Sequence, residues 1–140
     1  MTEPAAIGGC LCGAVRFTSD KPAIAARICW CRLCQYLGGG GATVNAGYYS
    51  DGFHVTGEVT WHESVADSGN VMRRGFCPKC GTPLFSAADA RPHLIFARAG
   101  ALDDPNSIRP VATIWTSAAP HWAVFDPDLP QIEKQPPPVA

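Results

Sequence analysis

The chain has 140 residues, and its 11 basic and 12 acidic side chains give a net charge of -1 with histidine neutral. This balanced charge, without a basic stripe, argues against a nucleic-acid or anionic-membrane partner. No apolar run approaches the ~20 residues that a membrane-spanning helix needs. The length suits one domain, and the first residues have neither the basic nor the apolar region of a secretory signal. We therefore expect a soluble, cytoplasmic protein.

Glycine (14 residues) and proline (13 residues) are abundant, which favours short strands and turns over long helices. Apolar and β-branched runs predict strands or buried extended segments, in chain order, at 14–17, 23–28, 43–44, 48–49, 53–55, 59–62, 71–76, 83–85, 94–97 and 111–115. A short helix is predicted at 33–37, ended by the four glycines at 38–41. Its N-terminal amides are expected to face nearby cysteine thiolates.

Turns are predicted between these elements. Asp51-Gly52 is a strong two-residue hairpin signal between the strands on either side of it. Further turns are predicted at 67–70 and at 102–105. The tail from Gln131 is rich in proline and is expected to be extended or disordered. We predict one domain over residues 1–130 followed by this tail, residues 131–140.

Seven cysteines fall into three groups: Cys10 and Cys12; Cys29, Cys31 and Cys34; Cys77 and Cys80. A glycine directly follows each outer pair, at Gly13 and Gly81. Such a glycine lets the backbone turn sharply and point amide N–H groups at the sulfurs. Four thiolates close a structural zinc site, whereas three protein ligands leave the fourth position open. We therefore assign the two outer pairs to one closed zinc site and the middle group to a second, open site.

Disulfide bonds and redox chemistry are the alternatives to metal binding for these cysteines. The number of cysteines is odd, and a cytoplasmic protein keeps its thiols reduced, so disulfides are disfavoured. The segment Cys31-Arg32-Leu33-Cys34 also fits a redox C-x-x-C pair. This reading leaves Cys29 without a role, and no βαβ pattern surrounds the motif.

Histidines are candidate additional ligands of the sites, and basic side chains are candidates to balance the thiolate charge. The histidines are not at ligand spacing from any cysteine group and are interpreted as surface or hydrogen-bonded side chains: His54, His62, His93 and His121. Distance in sequence does not exclude that folding brings one of them to the open site. Basic residues near the cysteines are candidates to offset thiolate charge: Arg32, Arg73, Arg74 and Lys79. Of these, Lys79 is interpreted as a solvated side chain.

The open site has a preferred chemistry. A zinc ion held by three thiolates carries a net charge of about -1 by simple counting. It is therefore a weaker Lewis acid than a zinc ion held by three neutral histidines, and activation of water is not its best use. An incoming thiol suits it better, because the metal lowers the thiol pKa and the electron-rich ligands keep the sulfur nucleophilic.

Four segments carry a resemblance to a known family: residues 9–17, the Cys29-x-Cys31-x-x-Cys34 triple, residues 76–84 and residues 100–105. In this order they resemble the glutathione-dependent formaldehyde-activating enzyme family, which is related to the centromere protein V group. The resemblance implies a mainly β, Mss4-like fold of several coiled antiparallel sheets with little helix. It also implies two zinc ions, a structural one on the outer cysteine pairs and a catalytic one on the middle group. We expect the second ion to be labile, because unprotected thiolates oxidise readily to disulfides.

The activity implied by the resemblance is the condensation of glutathione with formaldehyde to S-hydroxymethylglutathione. We accordingly expect a zinc-dependent carbon–sulfur lyase or synthase, whose partners are a small thiol such as glutathione and a small aldehyde. Trp30 replaces the histidine or small residue that many members show between two of the ligands, and its indole would narrow access or form a stacking wall. The alternative is a non-catalytic zinc-binding interaction module with the same fold. A methionine sulfoxide reductase is disfavoured, because no cysteine is left over.

Overall fold

The computed structural model describes residues 3–66 and 69–140. Within this part the strands are β1 (Ala6–Gly9), β2 (Arg16–Ser19), β3 (Ala25–Cys29), β4 (Thr43–Tyr49), β5 (Phe53–Thr56), β6 (Thr60–Val65), β7 (Val71–Phe76), β8 (Pro83–Ala88), β9 (Leu94–Arg98), β10 (Pro110–Ile114) and β11 (Gln131–Ile132). The helices are α1 (Arg32–Leu37) and 3₁₀ turns at Ala99–Ala101, Pro105–Ser107 and Thr116–Ala118. No helix among these residues has the length and apolar character to cross a bilayer. The prediction of a mainly β fold with little helix is confirmed.

The strands form two sheets. The small sheet has the order β1-β2-β5, and the large sheet has the order β11-β10-β3-β4-β9-β8-β7-β6. Strands β6 to β9 follow one another as an antiparallel meander. Strand β4 joins this meander to β3, again with antiparallel pairing. Strand β10 pairs parallel with both β3 and β11, so the large sheet is mixed at that edge.

Aromatic side chains from both sheets meet in the main core. The ring of Phe17 in β2 stacks on Phe53 in β5 at a centroid distance of 5.3 Å, and it meets Phe85 of β8 edge-on at the same distance. Tyr48 of β4 lies 5.6 Å from Phe53. Full burial of a large apolar side chain contributes about 1.5–3 kcal/mol. This aromatic cluster is therefore a principal force that holds the small sheet on the large one.

The predicted strands and the predicted helix are present, with ends displaced by one to a few residues. Strand β1 was not predicted, because its sequence ends in two glycines and shows no clear alternation. Gly8 is required there, since a Cβ at this position would lie 2.3 Å from the Ala101 carbonyl oxygen and 2.4 Å from the Phe17 ring. Of the turn predicted at 67–70, residues 67 and 68 lie outside the described part of the chain.

The hairpin predicted around Asp51-Gly52 is wrong. A tight turn is present, because Gly52 has a φ of +87° and the Phe53 N–H donates to the Ser50 carbonyl at 3.1 Å. The strands on its two sides do not pair, however: β4 pairs with β3 and β9, and β5 pairs with β2. The turn is a corner between the two sheets. Its physical reason is the stacking of Phe53 on Phe17, which draws β5 away from β4.

Gly57, in the connection between β5 and β6, packs against the loop that follows Cys10 and Cys12. Gly57 has a φ of +96°, and a Cβ there would lie 2.1 Å from the Ala14 carbonyl oxygen. We expect Gly57→Ala to lower the free energy of unfolding by about 1–2 kcal/mol through the left-handed backbone. Displacement of the Ala14 loop should cost about 1–3 kcal/mol more. Denaturant unfolding monitored by circular dichroism measures the sum.

The matched control for this substitution is Gly40→Ala. Gly40 has nearly the same φ, +99°, but a Cβ there would have no neighbour within 4 Å. Only the backbone contribution of about 1–2 kcal/mol is expected at this position. Equal losses of stability in the two variants would contradict the expectation, because they would show that the loop around Ala14 moves aside at no cost in free energy.

The proline-rich tail is extended and crosses the large sheet. Its first two residues form β11 beside β10. Further along, Gln135 Oε1 accepts a hydrogen bond from Trp115 Nε1 at 3.0 Å, and the Pro137 carbonyl accepts one from Arg27 Nη2 at 3.0 Å. These bonds bring the tail over the sheet face that carries the middle cysteine group.

Candidate metal centres

Four sulfurs meet where the loop after β1 approaches the loop after β7, and we call them the four-sulfur group: Cys10, Cys12, Cys77 and Cys80. All four Sγ atoms lie within 4.8 Å of one another. The Sγ atoms of Cys10 and Cys12 are 3.6 Å apart, and those of Cys12 and Cys77 are 3.7 Å apart. Thiolates bound at about 2.3 Å to a tetrahedral zinc ion stand about 3.8 Å from one another. The spacing therefore fits one tetrahedral ion.

The backbone of both loops turns its amides toward these sulfurs. Cys10 Sγ accepts a hydrogen bond from the Val15 N–H at 3.2 Å, and Cys77 Sγ accepts one from the Lys79 N–H at 3.4 Å. The glycines that follow the two pairs have φ values of +80° at Gly13 and +76° at Gly81. A Cβ would meet no neighbour at either glycine, so the left-handed backbone, not space, requires glycine there. The sharp turns expected after the outer pairs are present.

Thr82 ties the two loops together. Its Oγ1 accepts a hydrogen bond from the Leu11 N–H at 3.1 Å and lies 3.1 Å from Cys80 Sγ. The hydrogen bond from the Thr82 hydroxyl, followed by backbone hydrogen bonds, lowers the pKa of Cys80 to about 5. A metal ligand must be deprotonated, so this environment favours the form of Cys80 that binds an ion.

Three other sulfurs converge where β3 passes into α1, and we call them the three-sulfur group: Cys29, Cys31 and Cys34. Cys29 ends β3, Cys31 caps α1, and Cys34 lies in the first turn of that helix. The three Sγ atoms lie within 4.8 Å of one another, and all three residues are buried. Cys31 Sγ accepts a hydrogen bond from the Cys34 N–H at 3.3 Å. The helix thus starts inside the triple and faces an amide to a sulfur, as predicted.

The thiols of this group act on one another. Hydrogen bonds from Cys29 and Cys31, then from the Thr43 hydroxyl, and the positive charge of Arg98 hold the pKa of Cys34 well below its usual range. Hydrogen bonds to Cys31 and Cys34, with burial, raise the pKa of Cys29. These opposite shifts favour the thiolate form at Cys34 over Cys29. The three Sγ atoms, within 4.8 Å of one another, are close enough to hold one cation in place of the shared protons.

A cavity of about 160 Å³ opens on the three-sulfur group. It lies on one face of the large sheet, and each of five neighbouring strands contributes a polar side chain: Arg27, Asn45, Arg98, Ser86 and Arg74. The tail lines another side with Gln135, Pro138 and Val139. Arg91 also reaches the cavity, and among the described residues no aspartate or glutamate does. The space beside the three sulfurs is therefore strongly cationic.

Arg98 is the most buried of these arginines, with 7% of its surface exposed. Its Nη1 donates to Asn45 Oδ1, whereas its Nε has no hydrogen-bond partner among the described residues. Burial lowers the pKa of Arg98; the charge of Cys34 opposes this shift, and the charge of Arg74 adds to it. Arg98 is thus a buried cation that is stabilised by the charge of Cys34 and destabilised by that of Arg74. No sequence pattern pointed to Arg98.

The basic residues named from the sequence lie in different environments. Arg74 lines the cavity, as a residue that offsets thiolate charge should. Arg32 instead donates to Gln35 Oε1 and lies over the Tyr36 ring, and Arg73 pairs with Asp89 at 3.0 Å. Lys79 is exposed, in agreement with its interpretation as a solvated side chain.

The four histidines, all within the described part, belong to neither sulfur group. Trp30 also differs from the expectation that its indole narrows or lines the open site. It does not line the cavity; its ring packs edge-on against Trp122 at 6.3 Å and Phe125 at 6.1 Å. Successive side chains of an extended segment point to opposite sides, so the side chain between Cys29 and Cys31 points away from the sulfurs into a separate aromatic cluster.

Comparison with known proteins assigns the chain to a family. The family model described as glutathione-dependent formaldehyde-activating enzyme matches residues 5–118, a range that includes both sulfur groups. The chain belongs to the glutathione-dependent formaldehyde-activating enzyme family. The crystal structure of a Rhodobacter sphaeroides protein is similar, with 20% sequence identity and a TM-score of 0.55 over 69% of this chain and 87% of that one. At this identity the likeness shows the fold alone. No curated protein matches the chain.

Membership of the glutathione-dependent formaldehyde-activating enzyme family agrees with the resemblance found in the sequence. The matched range ends at residue 118, before the tail that lines the cavity. The tail contacts are therefore features of this chain that the family match does not describe. Both sulfur groups have the ligand type and the spacing of a zinc site.

Proposed function

We propose that this family member is a zinc-dependent carbon–sulfur lyase, acting as a synthase, that joins a small thiol, glutathione in the first place, to a small aldehyde. One observation carries the proposal: the three-sulfur group has three buried sulfurs and opens on a cavity. Among the described residues no further cysteine, histidine or carboxylate joins it, whereas the other group has four sulfurs. The family name supports glutathione and formaldehyde as the first candidates.

In this proposal the two groups have different roles. The four-sulfur group would hold a structural zinc, since it supplies four sulfur ligands. Cys29, Cys31 and Cys34 would hold a catalytic zinc, and three protein ligands would leave room for a substrate sulfur. When bound there, the ion lowers the pKa of an incoming thiol and keeps its sulfur nucleophilic. All seven cysteines are free thiols, which fits a reducing compartment such as the cytoplasm.

The surrounding residues complete the site. Arg98 opposes the net negative charge of about -1 that three thiolates leave on a zinc ion. The Thr43 hydroxyl lowers the pKa of Cys34 and so favours the thiolate that binds an ion. The cavity holds thiol and aldehyde side by side, which raises their effective concentration. The overall reaction forms one carbon–sulfur bond and moves the thiol proton to the carbonyl oxygen, so atoms and electrons balance without a further reactant.

Elemental analysis of purified, zinc-loaded protein tests the proposal. We expect two zinc ions per chain in the wild type and one in Cys31→Ala, because two sulfurs and a methyl group form a poor zinc site. Cys31→Ala should keep its circular dichroism spectrum and lose the glutathione-dependent disappearance of formaldehyde, followed by NMR. A value near one zinc ion in both proteins would contradict the two-site proposal. A pure interaction module would need only the four-sulfur group, and it has no use for the cavity.

A further inference from the structure

The cavity beside the three-sulfur group has cations without matching anions. Four arginines line it: Arg27, Arg74, Arg91 and Arg98. In residues 3–66 and 69–140 no ion pair involves any of them; the carboxylates that pair with arginine do so with Arg16 and Arg73. Even with a charge of about -1 at the zinc-loaded three-sulfur group, simple counting leaves about +3 in and around the cavity. Arg98 is buried and the other three are half-buried, and a charge removed from water is costly without a partner, so the cavity favours an anionic ligand.

Sheet register places three of these arginines on one face of the large sheet, lining one cavity. Arg27, Asn45 and Arg98 lie in one row across β3, β4 and β9. Strands are about 4.8 Å apart, so the Cα atoms of the two arginines are separated by about 10 Å, with the Asn45 amide between them. Cys29 follows Arg27 by two residues on the same face, about 7 Å along the strand. Arg74 approaches from the neighbouring row, in register with Ser86 of β8 and, through it, with Phe96 of β9.

Several donors of these arginines are unused or meet only uncharged acceptors. The Nε atoms of Arg74 and Arg98 are buried and have no partner among the described residues. Arg98 Nη1 donates to the Asn45 side chain, and Arg74 Nη1 donates to Ser64 Oγ at 2.6 Å. Arg27 Nη2 donates to the Pro137 carbonyl at 3.0 Å. That carbonyl shows where an acceptor sits, and an oxyanion would bind the guanidinium more strongly than an uncharged carbonyl does.

We propose that Arg27, Arg74 and Arg98 form an oxyanion-binding subsite, which takes a carboxylate or phosphate group of the substrate while the substrate thiol reaches the three-sulfur group. Its link to the thiol rests on the proposed function, whereas the binding of the oxyanion does not. Guanidinium groups suit this task, because their planar, always charged forks match carboxylate and phosphate geometry. The ligand replaces the Pro137 carbonyl on Arg27 and shifts the tail away from the cavity. The subsite selects anionic over neutral thiols.

Isothermal titration of the zinc-loaded full chain with glutarate, which has carboxylates and no thiol, tests the subsite. We expect saturable binding to the wild type. In Arg27→Gln and Arg74→Gln the dissociation constant should rise by at least about tenfold, equal to about 1.4 kcal/mol. Arg109→Gln is the matched control: it removes the same charge from an exposed arginine outside the cavity, and its affinity should stay that of the wild type. Absence of saturable binding, or an equal loss in all three variants, would overturn the proposal.

Two further titrations separate the sources of the oxyanion and the two proposals. Inorganic phosphate is titrated in parallel: tighter binding of glutarate assigns a carboxylate, and tighter binding of phosphate assigns a phosphate group. Cobalt-substituted protein is then titrated with 3-mercaptopropionate and with the neutral 2-mercaptoethanol, and the sulfur-to-cobalt charge-transfer band reports thiol binding at the metal. If glutarate binds through the arginines and neither thiol produces the band, the subsite stands and the proposed function fails. If both thiols bind equally and glutarate does not bind, the subsite fails and the proposed function stands.

Discussion

Replacement of Cys77 by serine is expected to abolish cooperative folding of the chain. Cys77 is fully buried, and with Cys10 it belongs to the main hydrophobic core, next to Phe17 and Phe85. The four-sulfur group joins the loop after β1 of the small sheet to the loop after β7 of the large one. Structural zinc in zinc-finger peptides contributes about 10–16 kcal/mol. Loss of one ligand of the proposed zinc ion is therefore expected to remove a contribution comparable to the whole stability of a typical domain, about 5–15 kcal/mol.

Thermal unfolding by circular dichroism and elemental analysis measure this effect. The variant should show no cooperative transition and no stoichiometric zinc. Cys31→Ser is the matched control, since it removes the same atom from the three-sulfur group, which packs in a separate, smaller cluster. This control should unfold cooperatively and retain one zinc ion. A Cys77→Ser protein that melts like the wild type would show that the four-sulfur group does not hold the fold together.

Loss of the positive charge at Arg98 is expected to weaken zinc binding at the three-sulfur group by about 10–100-fold, the usual cost of losing an outer-shell partner of a metal site. The Arg98 charge lowers the pKa of Cys34, so it favours the thiolate that a metal ion needs. In Arg98→Met the thiolates lose this compensation while they stay buried. Asn45 Oδ1 also loses its donor. Both effects favour protonated sulfurs over the metal-bound state.

Competition with a chromophoric chelator measures this affinity, because the chelator removes the more weakly bound zinc ion first. Arg98→Lys is the informative partner variant. It keeps a positive charge but lacks the planar fork, so its zinc affinity should lie between that of the wild type and that of Arg98→Met. The zinc ion of the four-sulfur group should be retained in both variants. Equal affinities for the second zinc ion in all three proteins would show that Arg98 does not act on the sulfurs.

Each cysteine cluster could be recognised from the sequence because the spacing of its ligands is local. Ligands two or three residues apart, such as Cys77 and Cys80, must lie close together in any fold. The glycine after each outer pair reports a left-handed turn, a property of the backbone at Gly13 and Gly81 themselves. The start of α1 within the triple was likewise visible, because Cys31 is close enough in sequence to cap the helix that holds Cys34.

Two of the arginines that line the cavity, Arg27 and Arg98, were not predicted from the sequence. Arg27 precedes Cys29 by two residues on a predicted extended segment, so strand periodicity alone could have placed both side chains on one face. Arg98 offers no such signal, because it follows the middle cysteines by more than 60 residues. It reaches them only because β9 pairs with β4, and β4 with β3. Trp30 shows the converse: its neighbours in sequence are ligands, but its contacts are Trp122 and Phe125.

What the sequence by itself determined is the family, the mainly β class and the ligand spacing inside each cysteine cluster, which is short-range. The glycine after each outer pair also indicated that these two pairs belong together, although 65 residues separate Cys12 from Cys77. Only the tertiary structure decided what surrounds the sulfurs. Pairing between distant strands set a row of cations beside the three-sulfur group, and contacts of the tail with Arg27 and Trp115 closed one side of the cavity. The physical reason is that strand pairing joins backbone groups whose hydrogen bonds are the same for every side chain. Which strands become neighbours, and therefore which side chains share a cavity, is determined by the packing of the whole core.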